Sequence, residues 1–157
     1  MEYQLKARLH NRFDIEVVDA RTKEVRKTAQ AENLILDGAW THIINFNYDD
    51  TWNGYYPVYD WFGKIRFGTG TGTLSAARTA LFTPLGTKTC ETTEWAFNQA
   101  ENYASLRRRI TLLESEYIGS ILSEVGVATG ASSDVLCTHA LLKDMNGNDV
   151  TIEKTGT

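Results

Sequence analysis

The sequence predicts a mainly β protein, an antiparallel β-sandwich or related barrel of about eight short strands with one short helix. Alternating apolar and polar residues recur along the chain, which is the pattern of strands with one buried face. Turn-forming residues separate these stretches at short intervals. Apolar residues at helical spacing stand out in a single stretch, whereas a parallel α/β fold would need a helix between successive strands.

Three strands are expected before that helical stretch. Apolar residues occupy every second position in residues 3–10 and again in residues 13–17. Residues 24–30 form a more polar strand, which we place at a sheet edge because charged side chains there discourage unwanted strand pairing.

The helix is expected next, where Trp40, Ile43 and Ile44 lie at helical spacing. Asp37 is suited to cap its N-terminus, and Asn33 is an alternative cap for an earlier start.

The second half of the chain supplies the remaining strands. A loop is expected to begin at Pro84, and residues 90–102 predict irregular structure or a weak strand. Asn146 and Gly147 form a dipeptide that favours a two-residue hairpin turn. Further strands are expected at residues 64–67, 103–113, 120–128, 136–144 and 150–154.

Composition limits the classes of function. The 157 residues are the size of one domain, covering 1–157, and the chain carries a net charge of −4, which argues against a nucleic-acid partner. Apolar runs fall well short of the roughly 18 residues of a membrane helix, and the N-terminal residues lack the features of a secretory signal. Cys90 and Cys137 belong to no CxxC pair, so we expect buried free thiols in a protein that folds in a cytoplasm.

Motifs that would indicate catalysis or cofactor binding are missing from the sequence. The glycine–threonine segment 68–73 lacks the lysine of a phosphate-binding loop and the spacing of a dinucleotide fingerprint, so we interpret it as a structural turn. His10, His42 and His139 have no metal-ligand spacing, and each is interpreted as a surface or satisfied core histidine. Acidic pairs fall in predicted turns, where solvated charge is common. We therefore predict no enzyme activity, no metal and no cofactor.

An aromatic loop, residues 48–62, is the main candidate for a binding surface. Aromatic side chains of this kind suit either a cap over the core or a protein interface, and sugar stacking is a third possibility. Acidic and amide side chains in the same loop would suit the rim of such a surface. The candidate interface or ligand-binding residues are Trp52, Tyr55, Tyr56, Tyr59, Trp61 and Phe62.

Two charged residues interrupt the apolar faces of predicted strands. Arg108 lies on the apolar side of the strand at 103–113, and Glu124 interrupts the strand at 120–128. Because an unpaired buried charge costs several kcal/mol, pairing between them would resolve both anomalies. The alternative is that both residues lie at the rim of the core.

Five short motifs together resemble β-rich domains of tailed-phage virion proteins, including tail-fibre, tail and baseplate-associated proteins. The similar features are Asn-Leu-Ile before a glycine, a Gly-Thr-Gly segment followed by a "TAL" loop, and a Glu-[Ile/Val]-Gly-[Leu/Val] strand. In order, the motifs read ENLILDGAW, FGTGTG, TALFTPLG, SEVGVATG and CTHALLKDMNGN. The first thirty residues and the aromatic loop lie outside the resemblance.

The resemblance implies a non-enzymatic component of a phage particle, such as a tail, fibre or neck-associated adaptor or attachment domain. It implies assembly in the host cytoplasm, location in the virion, and contacts with other virion proteins. Virion parts work in symmetric arrays, so a homo-oligomer is also expected. The alternative function is a carbohydrate- or receptor-binding β-sandwich module that uses the aromatic loop on a host surface glycan or receptor.

Overall fold

The computed structural model describes residues 10–46, 63–100, 103–130 and 134–155, and it confirms a mainly β, antiparallel fold. The predicted helix is present and begins at Asp37. Within the described ranges, no helix is long and apolar enough to cross a membrane. The elements are β1 (Arg12–Val18), β2 (Val25–Glu32), β3 (Leu34–Ile35), α1 (Asp37–Phe46), β4 (Lys64–Gly68), β5 (Pro84–Thr89), β6 (Thr92–Asn98), β7 (Tyr103–Arg109), β8 (Ile121–Leu122), β9 (Glu124–Ala128), β10 (Thr138–Leu141) and β11 (Ile152–Glu153).

A five-stranded sheet in the order β3-β10-β9-β4-β5 forms the centre of the fold. Its strand pairs are antiparallel, and β9 lies in the middle with all five residues buried. The register aligns Ala140, Val125 and Phe67 across three neighbouring strands. Because directly paired residues point to the same face, these side chains share one side of the sheet. Because β9 is buried on both faces, other parts of the chain must pack against each face of the sheet.

The β1–β2 hairpin covers the first face of the sheet. Its register follows the predicted alternation, so that Phe13, Ile15 and Val17 are half-buried while their neighbours in β1 are exposed. A bridge between Gln30 and Lys143 joins the hairpin to the chain after β10. The buried residues of this first core are Ala29, Ala31, Ile65, Phe67, Leu122, Val125, Ala140, Leu142 and Ile152.

A smaller apolar layer lies on the second face, beneath the connection between β4 and β5. It consists of Leu36, Leu81 and Leu136, with Leu34 packed against them. Gly126 of β9 lies beneath this layer, and a Cβ at that position would lie 2.9 Å from Leu136 Cδ1 and 3.3 Å from Leu81 Cδ2. Glycine in the central strand therefore lets the covering layer approach the sheet.

Two further two-stranded sheets complete the described architecture. One pairs β11 with β8, and the other pairs β6 with β7. Gly147 has a φ of +84°, as expected of glycine in the predicted tight turn. The chain on the two sides of this turn is paired, through a bridge between Lys143 and Asp149 and the hydrogen bond from Val150 N to Leu142 O, as predicted for a hairpin. Farther along the chain, β11 pairs with β8.

Several predicted boundaries require correction. Pro84 begins a strand rather than a loop, which is possible because β5 is an edge strand and its first residue need not donate a hydrogen bond. Of the two alternatives for residues 90–102, irregular structure or a weak strand, the strand is confirmed at residues 92–98. The strand predicted at residues 103–113 is shorter, since β7 ends at Arg109. The strand predicted at residues 3–10 lies almost wholly outside the described residues.

Neither Cys90 nor Cys137 forms a disulfide bond, as predicted. Cys137 is buried, and desolvation raises the pKa of its thiol to about 11. Cys90 is half-buried, and desolvation also raises its pKa. Both thiols are therefore protonated at neutral pH, which suits a structural role rather than a nucleophilic one.

Candidate functional site

A buried carboxylate, that of Glu124 at the start of β9, is the most highly connected polar group of the second layer. The residue is 1% exposed. Its Oε1 accepts hydrogen bonds from the backbone N–H groups of Gly70 at 3.0 Å and Thr83 at 2.7 Å. Its Oε2 accepts the N–H of Phe82 at 2.8 Å and lies 2.8 Å from His139 Nε2. Both oxygens are thus fully used by the protein itself.

Glycines allow the carboxylate to lie against the β4–β5 connection. A Cβ at Gly68, directly opposite Glu124 in β4, would lie 2.4 Å from Oε1, and a Cβ at Gly70 would lie 2.7 Å from it. The glycine–threonine segment therefore does present a backbone N–H group to an anion. The anion is the chain's own Glu124, so the interpretation of this segment as structural agrees with its geometry.

His139 in β10 completes the group of contacts. Its side chain is fully buried, and its ring centroid lies 4.9 Å from that of Phe82. Arg78 covers the Phe82 ring, with its guanidinium carbon 3.8 Å from the ring centroid. Nδ1 of His139 has no hydrogen-bond partner among the described residues. A neutral imidazole that donates Nε2–H to the carboxylate satisfies this arrangement, and we assign that tautomer from the hydrogen-bond geometry.

The surroundings of Glu124 and His139 determine whether each side chain is charged. Desolvation acts to raise the pKa of Glu124, but the N–H groups of Thr83 and Phe82, together with His139 and Gly70, lower it overall. Desolvation lowers the pKa of His139, and Arg78 acts in the same direction, while Glu124 opposes them. At neutral pH we therefore describe an ionised Glu124 beside a neutral His139. We call this pair, together with the three backbone N–H groups, the Glu124 node.

Four of the five sequence motifs contribute groups to the Glu124 node, and the fifth pairs with His139. Gly70 belongs to FGTGTG, and Phe82 and Thr83 belong to TALFTPLG. Glu124 and His139 belong to SEVGVATG and CTHALLKDMNGN. The fifth segment, ENLILDGAW, forms β3, whose Leu34 pairs with His139 across the sheet edge. The motifs that carried the resemblance are therefore contact partners in three dimensions.

No match was found when the chain was compared with protein-family models, curated proteins and solved structures. The Glu124 node must therefore be interpreted from its own geometry.

The geometry suits holding a loop in place. A catalytic carboxylate needs room for a substrate, whereas both oxygens of Glu124 are occupied and the side chain is sealed from solvent. Across the described part of the chain, no group of three or more histidine, cysteine, aspartate or glutamate side chains is arranged to hold a metal ion.

The predicted partner of Glu124 requires correction. Glu124 is buried and not at the rim of the core, but it bonds to His139 and loop backbone rather than to Arg108. Arg108 is half-buried on β7, in a separate sheet, and acts electrostatically on Cys90. Backbone N–H groups can stabilise the charge of a buried carboxylate, as a cation would. The sequence alone does not indicate which loop will supply these groups.

The remaining predicted site residues have different outcomes. His139 is a satisfied core histidine at Nε2, as predicted for it, and its contact with Glu124 was missed. The candidate binding residues of the aromatic loop, namely Trp52, Tyr55, Tyr56, Tyr59, Trp61 and Phe62, lie outside the described residues.

Proposed function

We propose that the protein is a non-enzymatic structural component of a tailed-phage particle, a tail, fibre or neck-associated adaptor or attachment domain that acts through protein–protein assembly. The observation that carries the proposal is the meeting of four virion-like motifs at the Glu124 node, with the fifth paired to His139. Motifs that determine a fold should lie together in its interior, and these do.

The chemistry of the Glu124 node supports a scaffold. A buried carboxylate held by three N–H groups fixes one backbone arrangement, because any shift leaves a charged group without its partners. Rigid positioning of loops is what a part in a repeating assembly needs, since each copy must present the same surface.

An apolar corner provides a candidate surface for such assembly. Segment 113–121 exposes three large apolar side chains: Leu113 at 58%, Ile118 at 62% and Ile121 at 52%. The segment is tied to the residue that follows β11 through the hydrogen bond from Gly119 N to Lys154 O, so it is held in place by the fold. Several exposed large apolar side chains in one short segment suit a protein–protein contact.

Assembly can be tested by measuring mass in solution over a wide concentration series. We expect oligomers that dissociate on dilution, and we expect Ile118→Asp and Ile121→Asp to weaken them. Met145→Asp is the matched control, because Met145 is 85% exposed and lies in the turn between β10 and β11. A protein that stays monomeric throughout, and that also fails to join particles in an assembly assay, would contradict the proposal.

The neighbouring reading frames offer an independent test. Genes for capsid, neck and tail proteins cluster, so a phage structural gene should lie among them. A gene surrounded by metabolic enzymes would argue against the virion assignment.

A carbohydrate- or receptor-binding module is the second candidate, favoured by the aromatic residues of loop 48–62. Glycan-array binding that is lost in Trp52→Ala and Trp61→Ala would support it. Trp40→Ala is a suitable control, since Trp40 is 45% exposed on α1, outside that loop. If the protein is instead an assembly component without glycan specificity, neither the wild-type protein nor any of these variants should bind glycans selectively.

A further inference from the structure

We propose that residues 69–83 form a strap that opens locally in mild acid, with the Glu124 node as its latch and His139 as the group whose protonation releases it. This conformational device concerns the fold of the chain alone and does not depend on the proposed function.

The strap is the whole connection between β4 and β5, and it contains no strand or helix. Its ends are held together by a hydrogen bond from Thr69 N to Thr83 O at 3.0 Å. A surface loop of this length whose ends lie close together is an Ω-loop. Opening of the strap therefore does not require any strand of the central sheet to separate.

Among the described residues, a small set of polar contacts joins the strap to the rest of the protein, and three of them pass through one side chain. Glu124 accepts three strap N–H groups, and its neighbour Ser123 donates its hydroxyl to Gly70 O at 2.7 Å. Asp37 N donates to Ala76 O at 2.9 Å near the middle of the strap. Leu81 supplies the main apolar anchor. Loss of the latch would therefore leave a segment of low local stability.

His139 is placed so that a proton disrupts the latch. It is fully buried, and a second ring proton would put an N–H at Nδ1, where no acceptor is found among the described residues. Two charged groups act on it: Glu124 from β9, which favours the imidazolium, and Arg78 from the strap, which opposes it. The neighbouring residues Phe82, from the strap, and Leu34, from β3, are uncharged.

In the closed form the pKa of His139 is lowered, because the cost of desolvating the imidazolium outweighs the attraction of Glu124. An opened strap exposes His139 to water and to protonation, so acid favours the open form. Opening also uncovers the apolar layer of Leu36, Leu81 and Leu136, which is hidden in the closed form.

Amide hydrogen exchange measured by NMR tests the latch, with rates corrected for the intrinsic effect of pH. The reporters are the amides of Gly70, Phe82 and Thr83; the controls are those of Cys137 and Leu142, which bond to Val127 O and Ser123 O. For an opened-state pKa of 6.5, protection of the reporters should fall up to about tenfold from about pH 7.5 to about pH 5.5. The controls should keep their protection.

Two variants identify the titrating group. His139→Gln keeps a donor for Glu124 and cannot titrate, so its reporter amides should lose the pH dependence. His10→Gln is the control, because His10 is exposed, and it should behave like the wild-type protein. If His139→Gln does not fold, the contrast between reporter and control amides in the wild-type protein still decides. Equal loss of protection at all five amides, or no loss at the reporters, would overturn the proposal.

Discussion

Replacing Glu124 by glutamine exchanges one carboxylate oxygen for an NH₂ group at the point where three backbone N–H groups and His139 converge. Whichever way the amide is turned, its NH₂ faces at least one N–H donor. Placed at Oε1 it meets Gly70 and Thr83, and placed at Oε2 it meets Phe82. The substitution therefore removes a charge and creates an unsatisfied buried donor with almost no change in volume.

The expected loss follows from these contacts. An unsatisfied buried N–H costs about 1–3 kcal/mol, and bonds that lose their charged acceptor weaken by about 1 kcal/mol each. One unsatisfied N–H and about two weakened bonds together lower the free energy of unfolding by about 3–5 kcal/mol. In a domain of this size, the melting temperature should drop by roughly 6–20 °C.

Urea unfolding followed by tryptophan fluorescence provides the measurement, with the free energy taken from the midpoint and slope. Glu16→Gln is the matched control, since Glu16 is exposed on β1, and its effect should stay within about 0.5 kcal/mol. A Glu124→Gln variant within about 1 kcal/mol of the wild type would show that the carboxylate is not the latch we describe.

Three further outcomes are expected. Global stability should fall as the pH drops below about 6.5 and further below about 4.5: both His139 and Glu124 have lowered pKa values in the folded state, so the unfolded chain binds each proton at a higher pH. Urea titrations at several pH values would measure this fall, and flat stability across the acid range would contradict it. Gly126→Ala should destabilise by about 1–3 kcal/mol or more, because its Cβ would lie 2.4 Å from a backbone oxygen; calorimetry showing an unchanged melting temperature would count against the close approach. Leu136→Ala should cost about 2–5 kcal/mol through the cavity that it leaves, while Leu113→Ala at an exposed position should cost less than about 0.5 kcal/mol; similar losses for the two variants in urea would refute the second core.

The strand pattern could be predicted from sequence wherever one face of a strand is buried and the other is exposed. β1 shows this clearly, since its half-buried residues are those that the alternation selects. β9 does not alternate, because both of its faces are covered. There the sequence offered only an anomaly, a glutamate among apolar residues, which left burial and a position at the rim of the core as alternatives, and the structure shows burial.

The partners of that glutamate could not be predicted, because three of them are backbone groups of a loop. Gly70, Phe82 and Thr83 contribute N–H donors that every non-proline residue possesses, so no side-chain type marks them. His139 could in principle have been found, since β10 pairs with β9 and places it near Glu124. The start of β5 at Pro84 was missed because proline usually breaks central strands. Proline is, however, tolerated at the first position of an edge strand, where Pro84 lies.

The order of events in folding follows from what the latch closes onto. Glu124 bonds to strap groups 41 to 54 positions earlier, and it lies on β9, whose pairing with β4 joins residues 56 to 64 positions apart, so both steps carry a large loop-closure cost. Because the strap is held against these two strands, we expect it to close after they have paired. An interaction absent from the transition state slows unfolding without speeding folding. In a chevron plot, Glu124→Gln should therefore shift the unfolding arm and leave the folding arm in place, whereas slower folding would put the latch in the transition state. The buried carboxylate thus governs how long the folded molecule lasts more than how fast it forms.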